Sequence, residues 1–300
     1  MPELPEVQTT VKGLNKKVLN RAFIDVWSDW HKMARLRSAS GQVKRPKSFD
    51  LFKKDLLGKK IKKVWRRAKN VIFELSSGYS LLIHQKMTGH LMVGKWVKTQ
   101  EKWKPKDRGP LDEKINTYLH LMLFLDNGQM IALSDLRKFA KVELWKTEEL
   151  LNSKEFLSLG PEPLEKGFNF KKFKERLLGK RGKIKIILMN PEIIAGIGNI
   201  YANEALWWSK IHPEKDVSRL SEKELRLLYN AVIKVLEAGV RLGGESFSDY
   251  RNVEGEKGHF DTERKAYKRE KQKCQRCETL IKRIKFNGRS SFFCPSCQTL

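Results

Sequence analysis

Cysteine is scarce and confined: the chain has four, all within its last 27 residues. Nothing upstream can be cross-linked, so a disulfide-stapled extracellular scaffold is excluded. No apolar run reaches the roughly 18–20 residues that a membrane-spanning helix needs. The start, Met1-Pro2-Glu3-Leu4-Pro5-Glu6, carries two acids and no apolar stretch, so no secretory leader is expected. A cytoplasmic, nucleoid-associated protein is the expectation. No internal repeat is found, which excludes a solenoid. Acid is also in short supply, with 35 Asp and Glu against 61 Lys and Arg, a net charge of +26. Such a surplus points to a polyanion, nucleic acid first, with a merely solubilising surface as the alternative. The cations also cluster. Residues 263–289 hold eleven Lys or Arg against three Glu, and a second cluster runs from Lys44 to Lys69.

Three hundred residues suggest more than one domain. A helix is expected from Pro5 to about Leu19, where Val7, Val11, Leu14 and Val18 fall near helical spacing. Strand patterns then dominate to about residue 145. Val71–Leu75 and Tyr79–Ile83 read as one hairpin, and Leu119–Leu125 with Gln129–Leu133 as another. In the second, Asn127-Gly128 is expected to supply the positive φ angles of a tight turn. Residues 96–116 are polar and charged and read as an insertion loop. After residue 147 the pattern turns helical: Phe170–Leu178, Ile184–Met189, Ile200–Trp208 and Glu222–Val240, the last opened by a capping box at Ser221 and Glu224. A linker around Leu159–Leu164 separates the two halves. The class is α+β, with expected divisions at 1–147, 148–262 and 263–300.

Three features carry chemistry. Cys274-x2-Cys277, sixteen residues, then Cys294-x2-Cys297 fits one tetrahedral zinc with four thiolate ligands. With every position filled, the ion is structural. Ile281–Phe286 and Ser291–Phe293 read as two strands with a basic tip at 287–290. Gly196-Ile197-Gly198-Asn199-Ile200-Tyr201 is a glycine-rich turn opening a helix, a place for a phosphate, although such turns often only pack tightly. Finally, methionine before proline is usually trimmed, which would leave Pro2 with a free secondary amine. Many chains begin this way for no catalytic reason.

Together these residues resemble the formamidopyrimidine-DNA glycosylase and endonuclease VIII family along nearly the whole chain. Pro2-Glu3-Leu4-Pro5-Glu6-Val7 is similar to that family's start, in the form of its formamidopyrimidine branch. Arg67-Ala68-Lys69 matches its lysine segment. His84-Gln85-Lys86-Met87-Thr88-Gly89 resembles His-Leu-Gly-Met-Ser-Gly, and Asp135-Leu136-Arg137-Lys138-Phe139 resembles Asp-Pro-Arg-Arg-Phe. Residues 159–164, 196–204, 249–260 and 288–297 also match. The departures are Gln85-Lys86 for Leu-Gly, Leu136 and Lys138 for Pro and Arg, Tyr118-Leu119-His120 for His-x-His, and Ser248 where the damaged-base loop usually carries Arg.

The resemblance implies an N-terminal β-sandwich with flanking helices, a helix-two-turn-helix region and a zinc-finger hairpin. It also implies an enzyme, a monomer without membrane attachment, that flips a damaged base out of double-stranded DNA. Pro2 would be the nucleophile, Glu3 the acid at the sugar oxygen, Lys69 the helper of the first elimination and Arg289 of the second. Met87, Arg137 and Phe139 would fill the void. His84, Tyr118, His120, Arg181, Lys185, Asn199 and Tyr267 would contact DNA. Structural zinc is the one cofactor implied, with no redox or nucleotide cofactor. The implied substrates are oxidised purines such as 8-oxoguanine and formamidopyrimidines, cleaved by β,δ-elimination. An endonuclease VIII-like enzyme for oxidised pyrimidines, or a zinc-dependent damage binder without catalysis, are the alternatives.

Overall fold

The computed structural model describes residues 1–37, 48–100, 102–246 and 249–300. It divides into two compact units, Met1–Ser158 with Gly243–His259, and Leu159–Leu242 with Phe260–Leu300. This differs from the expected three-part division. The segment 243–259 returns to the first unit, and the cysteine-bearing hairpin belongs to the second. The segment expected to be a linker also belongs to the second unit: Gly160 N–H donates to Pro191 O and Ala195 N–H to Pro161 O. Among the described residues, no helix is long and apolar enough to cross a membrane.

The first unit opens with α1 (Leu4–Lys17), followed by β1 (Phe23–Ser28), β2 (Ala34–Leu36), α2 (Ser48–Leu56), β3 (Ile61–Arg67), β4 (Asn70–Leu75), β5 (Tyr79–His84), β6 (His90–Gly94), β7 (Trp96–Thr99), β8 (Lys102–Pro105), β9 (Leu119–Leu125), β10 (Met130–Ser134), β11 (Lys141–Lys146), α3 (Thr147–Leu151) and α4 (Lys154–Leu157). Two sheets form, ordered β1-β9-β10-β6 and β2-β11-β5-β4-β3. Their facing sides share one core. Val26, Leu91, Leu121, Leu123, Ile131 and Leu133 come from the first sheet. Val64, Phe73, Leu81, Ile83, Val142 and Leu144 come from the second, and Val7, Val11 and Leu14 come from α1. Along the strands these inward residues alternate with an outer set that is itself largely apolar, Met92, Met122 and Ala132 on the first sheet and Ile72, Leu82 and Trp145 on the second.

Both expected hairpins are present, with one correction. Of Asn127 and Gly128, only Gly128 has a positive φ, 75°. Gly128 N–H donates to Leu125 O and Leu125 N–H to Gln129 O, so the loop is a three-residue turn with a glycine bulge. The insertion is also more than a loop. β7 and β8 pair as a hairpin, and Trp96, Trp103 and Leu111 pack with Met92, Met122, Ala132, Trp27 and Phe124 on the outer face of the four-stranded sheet. The net polarity of 96–116 hid two indoles that cover an apolar surface.

The second unit contains α5 (Phe170–Leu177), α6 (Ile184–Met189), α7 (Asn199–Ser209), α8 (Glu222–Arg241), β12 (Lys282–Phe286) and β13 (Arg289–Phe293). The Ser221 capping box is formed: Glu224 N–H donates to Ser221 Oγ at 3.2 Å and Ser221 N–H to Glu224 Oε2 at 2.9 Å. α7 is buried almost all round, including Tyr201, Ala202, Ala205 and Trp207, as expected of a helix with no polar face. The β12–β13 turn is shorter than expected. Asn287 and Gly288 take φ of 47° and 68°, and Arg289 already stands in the strand.

Candidate functional site

In the first unit the site begins at the N-terminus of α1. Pro2 is buried. Glu3, 3% exposed, is the N-cap, and Pro5 sits in the first turn, where a missing N–H costs nothing. Glu3 N–H donates to Glu6 Oε2 at 2.7 Å, while Glu6 Oε1 accepts Glu245 N–H, also at 2.7 Å. Tyr250 Oη donates to Glu6 O at 3.0 Å. One carboxylate therefore ties the chain start to the segment 243–250. Gly244 is required there. Its φ is +89°, and a Cβ would stand 2.8 Å from Glu6 Cγ.

The α-amine at Met1 titrates below its ordinary value. Burial is the main cause, Glu3 and Glu6 oppose it, Lys69 reinforces it, and Asp249 opposes it. The amine, two acids from α1, Lys69 and Asp249 thus share one electrostatic neighbourhood. Lys69 sits in the two-residue turn between β3 and β4, where Arg67 pairs with Asn70. Its neighbour Ala68 has φ 52°, a left-handed backbone that costs about 1–2 kcal/mol for a residue with a Cβ. Arg66 holds this turn, donating from Nη1 to Ala68 O and from Nε to Gln8 Oε1 on α1, both at 3.0 Å. Nothing in the sequence pattern marked Arg66.

Two further loops of the first unit are bound to each other. Asp135 is fully buried. Its Oδ2 accepts Phe139 N–H at 2.7 Å and Ala140 N–H at 2.8 Å, and its Oδ1 accepts Arg137 N–H at 3.3 Å and the Thr88 hydroxyl. Thr88 Oγ1 also accepts Arg137 N–H at 3.1 Å. The Met87 loop and the Arg137–Phe139 loop are locked together in this way. Met87 is half-buried, Phe139 is 50% exposed, and the Arg137 guanidinium lies 4.5 Å from the Phe139 ring centre. The sequence alone assigns Asp135 no role; its four acceptor contacts show that it fixes the two loops.

His84 ends β5, and its Nδ1 accepts Lys86 N–H at 3.0 Å. Burial and the charges of Lys86, Lys69 and Lys141 push its pKa down to about 3, so it is neutral. His120 Nδ1 lies 2.8 Å from Asp29 Oδ1, and Lys138 pairs with the same carboxylate at 3.7 Å. The half-exposed Tyr118 contributes its carbonyl to Asp135 N–H at 2.9 Å. Ser248 lies outside the described residues.

In the second unit, Arg181 is exposed and Asn199 begins α7 behind Gly196 (φ 85°) and the N-cap Gly198. Lys185 does not fit the phosphate contact expected of it. It is fully buried, and its ammonium donates to Ser290 O at 2.8 Å and Ser291 Oγ at 2.7 Å. A buried ammonium needs such partners, and these hold the Arg289 hairpin on α6. Asn203 Oδ1 accepts Phe292 N–H at 2.7 Å, fastening the hairpin to α7 as well. Tyr267 is placed by Glu204, a buried carboxylate whose pKa burial raises. Glu204 accepts the backbone N–H groups of Lys265, Ala266 and Tyr267 at 2.7, 3.0 and 2.7 Å.

The four thiols of Cys274, Cys277, Cys294 and Cys297 lie within 4.8 Å of one another, with sulfur separations of 3.4 Å (Cys277–Cys294) and 3.3 Å (Cys297–Cys277). A zinc–thiolate tetrahedron has edges of about 3.8 Å, given bonds of about 2.3 Å, so small shifts of the thiols suffice for the cluster to hold one ion. Cys274 and Cys294 are buried with Trp207, Ile281 and Phe292, which makes the ion part of this unit's core.

Comparison with known proteins agrees with this geometry. Residues 1–142 match the formamidopyrimidine-DNA glycosylase N-terminal domain, 159–251 its H2TH domain, and 271–300 a zinc finger found in FPG and IleRS. The formamidopyrimidine-DNA glycosylase of Desulfitobacterium hafniense (strain DSM 10664 / DCB-2) is 36% identical over 298 residues, covering 99% of this chain and 100% of that protein. That of Lactococcus lactis subsp. cremoris is 34% identical, covering 99% of each chain. A solved complex of the Lactococcus lactis enzyme with abasic-site DNA superposes with a TM-score of 0.83 at 32% identity, covering 99% of this chain and 100% of that one. A complex with Fapy-dG DNA gives 0.82 at 32% identity, with the same coverage. The sandwich, the helical unit, the one structural zinc and the full-length identity lead to one conclusion: this chain is a DNA-repair enzyme belonging to the formamidopyrimidine-DNA glycosylase family.

Proposed function

We propose that this chain removes oxidised purines from double-stranded DNA as a monomer and then cuts the abasic strand, with the amine of Pro2 as nucleophile once Met1 is gone. The observation that carries the reading is the geometry of the chain start: Pro2 is buried beside Glu3, the N-cap of α1, and the Glu6 carboxylate fixes both by accepting Glu3 N–H and Glu245 N–H. Lys69 and Asp249 belong to the electrostatic surroundings of this end of the chain. An amine set among acids and a lysine suits nucleophilic catalysis with proton transfer. The Lactococcus lactis complexes with abasic-site and Fapy-dG DNA support the substrate class.

The target nucleotide leaves the stack, since the sugar carbon is out of reach inside a duplex. Met87, Arg137 and Phe139 fill the gap, with the exposed Phe139 ring as wedge and the guanidinium facing the orphaned base. The Pro2 nitrogen bonds to C1′ as the bond from C1′ to the base breaks, and the amine proton passes to the departing base, leaving the nitrogen its lone pair. Glu3 gives its proton to the ring oxygen, and the sugar opens to an iminium. That cation accepts the electron pair released when the C2′ proton is removed, and the 3′ phosphate leaves. Lys69 assists this step. Loss of the second phosphate follows with help from Arg289, held at its hairpin by Lys185. His84, Tyr118, His120, Arg181, Asn199 and Tyr267 contact the DNA around the lesion. The sandwich unit supplies the nucleophile, and the helical unit with its zinc hairpin grips the strand and supplies Arg289.

Borohydride should trap the iminium as a covalent adduct between DNA and the processed N-terminus. A variant with an uncleaved residue ahead of Pro2 has an amide in place of the amine, and should bind damaged DNA without excision or trapping. Trapping by that variant would move the nucleophile to a lysine, Lys69 first. A lesion panel on matched duplexes decides the substrate class, and a preference for oxidised pyrimidines would overturn the purine assignment.

A further inference from the structure

The β7–β8 hairpin carries charge that the fold does not use. Its register pairs Trp96 with Pro105, Val97 with Lys104, Lys98 with Trp103, and Thr99 with Lys102. Directly opposed residues share a face. The Trp96–Trp103 face lies on the four-stranded sheet, with the Trp103 ring 5.5 Å from Trp27 and 5.7 Å from Phe124. Lys98, on that side, stands 5.8 Å from the Trp27 ring centre. The opposite face, Val97, Thr99, Lys102 and Lys104, is exposed, as are Lys95, Lys106 and Arg108 at the base. Among the described residues, none of Lys95, Lys102, Lys104, Lys106 or Arg108 makes an ion pair. Lysines elsewhere do pair, as Lys53 with Asp25 and Lys215 with Glu224.

Like charges crowded on one strand repel, so the arrangement favours an anionic partner with repeating charge. Lys102, Lys104 and Lys106 stand two residues apart, and Lys106 N–H extends the ladder to Lys95 O at 2.8 Å. At about 3.4 Å per residue their stems recur every ~7 Å. Successive phosphates of one DNA strand rise ~3.4 Å along the axis but also wind around it, so they stand about twice that far apart and the three ammonium groups match consecutive phosphates. The position along the sheet also matters. β6 runs from His90, paired with Ser134 beside the Asp135 loop, to Gly94, where the hairpin begins. Five residues place the hairpin about 14 Å from the loops assigned to the lesion.

We propose that the outer face of this hairpin is a second contact with the duplex backbone, outside the lesion footprint, held rigid by Trp96 and Trp103. The proposal rests on the reading that this chain acts on duplex DNA, and its test is separable from that reading. The zinc-loaded full chain and a Lys102→Ser/Lys104→Ser/Lys106→Ser variant are compared on a long lesion duplex of about three helical turns (roughly 30 base pairs) and on a short GC-rich one ending about three base pairs, roughly 10 Å, from the lesion on each side. On the long duplex the slope of log affinity against log salt should become shallower by about 2–3, near 0.9 per phosphate lost. Affinity there should fall at least about tenfold at ~0.1 M salt. On the short duplex the slope, and on both duplexes the single-turnover excision rate at saturating enzyme, should not change. A Lys→Arg triple variant, which keeps the charge, should behave as the parent. An unchanged slope on the long duplex overturns the proposal and leaves the cations to an acidic protein surface. Equal losses on both duplexes overturn it too, placing the hairpin at the lesion or in the fold. Failure of the parent to excise from either duplex would instead refute the proposed function.

Discussion

Asp135 Oδ2 accepts the backbone N–H of Phe139 at 2.7 Å, so the exposed ring is aimed by a carboxylate that never reaches the surface. With Oδ1 on Arg137 N–H and Thr88 Oγ1, the same group fixes both loops of the proposed void-filling set. Asp135→Asn keeps the shape but turns an N–H₂ toward a backbone or hydroxyl donor. Breaking a buried, charge-assisted contact of this kind costs about 1.5–3 kcal/mol. Affinity for lesion duplex should fall at least about tenfold for 1.4 kcal/mol, with undamaged DNA affected less. Equal loss on both DNAs would mean that Asp135 serves the fold alone.

Gln85 is 1% exposed, and neither its Oε1 nor its Nε2 has a hydrogen-bond partner among the described residues. A buried, unsatisfied amide costs about 1–3 kcal/mol. The resembling family places Leu here. Gln85→Leu should therefore raise the melting temperature of the first unit, by roughly 2–8 °C. Unchanged or lowered melting would show that the amide has a partner in solution, an ordered water first.

The strand-like runs of β4, β5, β9 and β10 made two hairpins legible and the four cysteines made the zinc hairpin legible, because each signal is local; the sandwich followed only from the resemblance, since the pairing of β1 with β9 and of β2 with β11 joins distant segments. The tightly spaced polar residues of 96–116 misled, because Trp96 and Trp103 find their partners on Trp27 and Phe124 in distant strands. The chain-start motif was readable only through resemblance. Its physical content, Glu6 joining Glu3 to Glu245 across the sequence, is a tertiary fact. Lys185 misled for the opposite reason: a lysine in a basic protein reads as a surface cation, yet this one is spent on Ser290 and Ser291. Asp135 and Arg66 left no pattern, since a single residue satisfying backbone donors has no periodicity.

Zinc removal should separate the two units. Cys274 and Cys294 belong to the core of the second unit, and the hairpin carrying Arg289 is fixed to that core. About one zinc per chain is expected, and Cys277→Ser or a strong chelator should abolish strand cleavage. The melting transition of the first unit should remain. Full cleavage by metal-free protein would refute the structural assignment.

The stability of the first unit should also depend on pH through His90. The ring is fully buried, with Nε2 2.8 Å from Asn116 Oδ1. Burial pushes its pKa down to about 4 from 6.5. The Asn116 and Thr88 contacts raise it, Arg251 lowers it and Asp135 raises it. The folded state therefore refuses a proton that the unfolded chain accepts. Above pH 6.5 both states are neutral and the full stability is present. As pH falls from 6.5 toward 4 only the unfolded chain gains the proton, so stability is lost. Below 4 both states are protonated and this loss stops. The gap corresponds to about 3 kcal/mol, at 1.36 kcal/mol per unit. His84, held near 3 by burial and three lysines, acts in the same direction. The Asp25 carboxylate of the first unit, whose pKa burial raises but Lys53 and Val26 N–H bring below its ordinary value of 3.8, loses its contribution only below this window. His90→Gln removes the titrating ring but lowers stability at every pH, so the informative quantity is the slope. Melting of the first unit followed between pH 7 and 4 should fall less steeply for the variant than for the parent. Parallel profiles would show that His90 does not control this window.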